Sequence, residues 1–157
     1  MRILSGTLPA ALVLAVLAAS CSSRGPLSPE EAFGVVQKAY HRGNPELLLS
    51  VLSEESVHRI TTMTSLIAGM EDRQREKLAE RLGVGAEQLS SLSPAAYLGM
   101  QIRLARALND DALGKALDSG ILKCEIRDAG AVLTAQNGME LTFVKEGPYW
   151  KFDMTDW

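Results

Sequence analysis

Cys21, Cys124, His41 and His58 are the side chains of this 157-residue chain best suited to nucleophilic or metal chemistry, and their spacing points to neither. Neither histidine has another histidine or a cysteine at metal-ligand spacing, so each reads as a surface or helix-end residue. Cys124 stands on the apolar side of an alternating stretch with no base near it in sequence, which predicts a buried, inert thiol. The carboxylates Glu125, Glu140 and Asp153 could do acid–base work if they were desolvated. Each alternates opposite apolar residues, and Tyr149 shares the parity of Lys151 and Asp153, so all are expected to face water. No Gly-x-Ser-x-Gly and no phosphate loop occur, and Gly83-Val84-Gly85 lacks both a preceding strand and a third glycine. The expectation is no catalytic residue, no metal site and no cofactor.

Cys21 belongs to a different pattern. One basic residue, Arg2, precedes an apolar run from Leu8 to Ala19, broken only by Pro9, and small residues then lead to Cys21. The run is shorter than the roughly 20 residues a span needs, and it reads as a secretory signal. A retained anchor and an ordinary signal cut at Ser20, leaving a free thiol, are the alternatives. The segment resembles a bacterial lipoprotein signal. That resemblance implies a signal peptide over 1–20 and a short tether over 21–27. It also implies a Cys21 that carries a diacylglyceryl thioether and an amide-linked acyl chain such as palmitate. The partner it implies is a membrane, reached through the lipid on Cys21. Ser22 is not the aspartate that resembles an inner-membrane retention signal, so the outer membrane of the cell envelope is favoured.

Lipidation would consume one of the two cysteines, leaving Cys124 without a disulfide partner. Loss of 20 residues leaves 137, enough for one domain with a real core, and the 46% apolar composition agrees. Removal of Arg2 leaves 15 Lys plus Arg against 19 Asp plus Glu, a balance of −4. With no basic run and only 5% aromatic residues, nucleic acid is a poor partner.

The domain, 28–157, opens with helix signals. Ser28-Pro29-Glu30-Glu31 combines an N-cap, proline at the first helical position and a capping-box glutamate; Ala32, Val35, Val36 and Ala39 share a face, and Gly43 stops the helix. Asn44-Pro45 starts a second. From Ser53 the helical period carries Ile60, Met63, Ile67 and Met70 as a core-facing stripe, the methionines also suiting an adaptable ligand surface. A charged stretch from Glu71 to Arg81 follows, with Glu71–Arg75 and Lys77–Glu80 spaced for ion pairs, readable as a solvated face or as a partner-docking arm. Gly83 and Gly85 end it, and a loop leads to Ser93-Pro94 and a stripe of Leu98, Ile102, Ala105 and Leu108.

After Gly120 the period becomes two. Leu122, Cys124 and Ile126 alternate with Lys123, Glu125 and Arg127; Ala131–Gln136 makes a second strand, and Asn137-Gly138 predicts a two-residue hairpin turn. That turn would pair Thr134 with Leu141 and make its hydroxyl the clearest inward polar group. Met139, Leu141 and Phe143, then Trp150, Phe152 and Met154, complete a four-stranded meander. The expected class is α+β, N-terminal helices on one face of a curved C-terminal antiparallel sheet.

The opening SPEEAFGVVQKAYHRGNPELLLSVLSEES and the ending MELTFVKEGPYWKFDM, with Trp150, Lys151, Phe152 and Asp153 in the last strand, resemble small envelope lipoproteins of the NTF2-like, cystatin-like superfamily. The resemblance implies a helix across a bent sheet and either a scaffold or a ketosteroid-isomerase-like enzyme with an acid and a tyrosine inside an apolar cone. Three functions follow: a non-catalytic, membrane-anchored module that binds an envelope protein through the charged helix or the exposed sheet face, a carrier or sensor, and an isomerase-like enzyme. The carrier would hold a small apolar ligand in a helix–sheet cavity lined by Met63, Met70, Thr134, Phe143, Trp150 and Phe152.

Overall fold

The computed structural model describes residues 25–128 and 130–155. The signal-like segment and Cys21 lie outside them. Four helix starts carry the side-chain caps that the sequence announces: Ser28 for α1 (Pro29–His41), Asn44 for α2 (Pro45–Ser50), Ser53 for α3 (Glu54–Ala68) and Ser93 for α6 (Pro94–Ala107). Each cap oxygen accepts an otherwise orphaned backbone N–H, worth about 1 kcal/mol. Between α3 and α6 lie α4 (Asp72–Leu82), which ends at Gly83 with φ 66°, and the short α5 (Ala86–Ser90); α7 (Ala112–Ser119) is capped by Asp111. No helix among the described residues is long and apolar enough to cross a membrane.

The chain then forms β1 (Ile121–Arg127), β2 (Gly130–Ala135), β3 (Glu140–Glu146) and β4 (Tyr149–Asp153), an antiparallel meander in the order β1-β2-β3-β4. The fold is α+β, helices packed against a four-stranded sheet that does not close. Helix α1 crosses the sheet, touching β1, β2 and β4, while α7 rests on α1 and β2. Ala131, Leu133, Leu141, Phe143, Trp150 and Phe152 point from the strands into the main core, where they meet Val36, Tyr40, Leu48 and Leu117. A smaller cluster of Ile67, Ala79, Leu89 and Met100 joins α3, α4, α5 and α6.

The β4 edge is covered. Pro26 accepts the Trp150 N–H at 2.9 Å, Val51 accepts from Phe152 at 2.8 Å, and Phe152 accepts from Ser53 at 2.9 Å, giving a short parallel bridge. Gly25 and Pro26 of the expected tether thus pack on the sheet, Gly25 so closely that a Cβ would lie 2.8 Å from the Tyr149 ring.

Several expectations need correction. The hairpin after β2 uses a three-residue turn, with Gly138 N–H bonded to Ala135 O and Ala135 N–H to Met139 O, and Gly138 at φ 86°. That extra residue pairs Leu133 with Leu141 and sets Thr134 opposite Glu140 on the outer face. On β1 a bulge at Leu122 gives Ile121 the place opposite Ala135, and both Leu122 and Ile126 are exposed at the sheet edge. Met63 and Leu108 are exposed despite their place in helical stripes, because the helices bury narrower faces than the spacing suggests. Arg75 pairs with Asp72 rather than Glu71, and it also donates to Met70 O and Ala68 O, closing the C-terminus of α3.

Candidate functional site

The six residues expected to line one cavity do not come together. Phe143 and Phe152 stack with ring centroids 5.3 Å apart and, with Trp150, fill the main core. Thr134 sits on the opposite face, Met70 packs against the smaller cluster, and Met63 lies on the surface of α3. The helix–sheet interior is packed where a cavity was expected.

An open apolar groove lies instead along α6. A groove of about 400 Å³ is bounded by Ser56, Arg59, Ile60 and Met63 of α3, Tyr97, Leu98 and Gln101 of α6, and Met154 just after β4. A second recess of about 320 Å³ shares Gln101 and Met154 with it and continues towards Tyr40, Ile102 and Asp111. The two form one open trough with Met154 at their junction.

Each end of the trough is fixed by a polar cluster. At the first, Asp153 Oδ1 accepts from Ser53 at 2.6 Å and from Ser56 at 3.0 Å, and Oδ2 accepts from Thr155 at 2.7 Å. The hydroxyls are satisfied in turn, Ser53 by the Ser56 N–H and Ser56 by the Met154 N–H. Arg59 donates to Thr155 O. Burial pushes the Asp153 carboxyl upwards, but these hydroxyls and Arg59 outweigh it and hold the group below its usual range. Asp153 is therefore a half-buried clamp between α3 and β4, not the solvated carboxylate that strand parity predicts. Alternation along β4 gives its face but not the serines that α3 brings to it.

At the far end, the Tyr40 hydroxyl donates to Asp111 Oδ1, which also accepts from Gly114 N–H at 2.8 Å. Arg106 lies 3.6 Å from Asp111, 4.7 Å from the Tyr40 ring centroid, and donates to Tyr40 O at 3.1 Å. Burial and the Asp111 carboxylate push the Tyr40 phenol well above its usual range. An acid and a tyrosine do meet here, as the isomerase resemblance requires. The acid, however, is the N-cap of α7, and its oxygens are already taken up by tyrosine, amide and guanidinium. Sequence reasoning missed this trio; the signal was Asp111 three residues before Gly114, a cap offset.

The remaining chemical residues stay apart. Exposed His41 pairs with Asp118 at 2.6 Å, and His58 is exposed on α3. Glu140 is exposed, and Glu125 bridges Lys123 and Arg127 along β1. No group of three or more potential metal ligands occurs among the described residues.

Cys124 is a free, half-buried thiol, hydrogen-bonded to Glu30 at the start of α1. Burial and the Glu30 carboxylate raise its pKa to about 11, leaving roughly a hundredfold less thiolate at neutral pH than an ordinary cysteine. Alkylation by iodoacetamide at pH 7.5 is expected to be slower than for free cysteine by that order, and Glu30→Gln to speed it up. A wild-type rate equal to that of the free amino acid would exclude this environment.

No protein-family model, no curated protein and no solved structure matches the chain.

Proposed function

We propose that this chain is a lipid-anchored lipoprotein of the bacterial envelope, favouring the outer membrane, whose NTF2-like α+β domain is non-catalytic and docks a protein partner in the trough along α6. The observation that carries the reading is the placement of apolar surface. The large apolar side chains Leu141, Phe143, Trp150 and Phe152 of β3 and β4 are used up in the core, whereas Met63 is 44% exposed beside Ile60, Tyr97 and Met154. An open apolar groove rimmed by Arg59 and Gln101 suits an apolar side chain of a partner better than an enclosed small ligand.

The anchor geometry supports the same reading. Gly25, four residues after Cys21, rests on Tyr149 at the start of β4, and Met154, where the two recesses of the trough meet, follows the other end of that strand. Five residues of strand separate the two, roughly 17 Å. A lipid on Cys21 would hold the Tyr149 end near the bilayer and leave the trough facing away from it.

A photo-crosslinking amino acid placed at Met63, at Lys77 on the charged helix α4 or at Val144 on the outer sheet face tests this in native envelopes. A discrete protein adduct at Met63 is expected, with none at the other two positions. Adducts only at Lys77 or Val144 would move the docking surface, and none at any position would exclude partner binding.

A further inference from the structure

The two edges of the sheet are treated differently. β4 is covered by Pro26, Val51 and Ser53, but among the described residues no backbone hydrogen bond reaches β1 from any segment except β2. On that open edge Leu122 is 68% and Ile126 59% exposed. An uncovered strand with exposed aliphatic side chains is a template for pairing with another strand.

The order of side chains on this edge selects the partner. In Lys123-Cys124-Glu125, an antiparallel copy related by a two-fold axis through Cys124 places Lys123 opposite Glu125 in both directions, with exposed Ile126 and the bulged Leu122 flanking the pair. Moving the axis by one residue either way puts Lys123 opposite Lys123 or Glu125 opposite Glu125. Like charges directly opposite are destabilising, so only the Cys124-centred register satisfies the strand. Within one copy Lys123 Nζ already lies 2.6 Å from Glu125, and the second copy would complete a square of alternating charges.

We propose that β1 is a homodimer interface, in which two copies pair their β1 edges antiparallel about Cys124 to form one continuous eight-stranded sheet. An isologous contact of this kind closes at two copies and leaves no further edge open, since β4 is covered. The interface lies apart from the trough along α6 and does not depend on lipidation.

Sedimentation of the detergent-solubilised full chain is expected to give a dimer. Lys123→Glu and Glu125→Lys singly should each weaken it at least about tenfold, and the double exchange should restore it to within about threefold. Restoration in the double variant separates a pairing defect from a folding defect. On the axis the two Cys124 Cα atoms would lie about 4.5–5.5 Å apart, within disulfide reach. Diamide at pH 9 should take two electrons and two protons from the thiol pair and yield a disulfide dimer that Cys124→Ser abolishes. A monomeric wild type, single variants that dimerise like wild type, a double variant that stays monomeric, or a cross-link that survives Cys124→Ser would each overturn the proposal.

Discussion

Phe143→Ala is expected to lower the stability of the domain by about 3–5 kcal/mol in urea or thermal unfolding, the largest effect of any single truncation on the sheet. Phe143 is fully buried, stacks on Phe152, and sits opposite Ala131 on one side and Phe152 on the other. Removal of its ring forfeits both the transfer energy and the contacts lining the hole, because neighbours on two strands cannot collapse into it. The same experiment distinguishes a filled core from an open carrier. In an open cavity the ring would already lack partners on one side and its truncation would cost far less. Met63→Ala, at an exposed position, should change stability by no more than about 0.5 kcal/mol. A Phe143→Ala loss below about 1.5 kcal/mol would restore the helix–sheet cavity.

Asp153→Ala is expected to cost about 2–4 kcal/mol, more than a surface carboxylate at the end of a strand would. The loss leaves Ser53 and Ser56, each only 2% exposed, without the acceptor that holds them, and it loosens α3 from β4. The pH dependence has a definite sign. The carboxyl's folded pKa is depressed, so its stabilising contribution is fully present above the unfolded value of about 3.9 and disappears as pH falls through the folded pKa. The stability gap between wild type and Asp153→Asn should hold constant from pH 7 to 5 and shrink below about pH 4. A gap that widens on acidification would mean that burial, not the hydroxyls, dominates at Asp153.

What could be read from the residues was whatever is decided locally. Ser28-Pro29, Asn44-Pro45, Ser53 and Ser93-Pro94 carry their caps within three positions, so the starts of α1, α2, α3 and α6 are legible without tertiary information. Alternation in 139–154 likewise places Leu141, Phe143, Trp150 and Phe152 in the core. Helix α5 has no side-chain cap from Gly85 and only five residues, so nothing local distinguishes it from a loop.

The misplaced details depend on where the chain returns. The bulge at Leu122 and the third turn residue at Gly138 each shift a register by one position, enough to carry Thr134 to the other face. Asp153 acquires partners about a hundred residues away, and Met154 becomes the floor of a trough only because α3 and α6 converge on it. The trough was invisible for the same reason. Its residues have no common spacing, and its apolar members are individually ordinary. The proposed lipid anchor rests on sequence alone, because the resemblance to a lipoprotein signal is carried by a local pattern over 1–21.

The most direct test of the account is the mass of the N-terminal peptide of the full-length protein isolated from its native envelope. A peptide that begins at Cys21 and carries the diacylglyceryl thioether and an amide-linked acyl chain is the predicted result, and an unmodified Cys21 or an intact Met1 would contradict it.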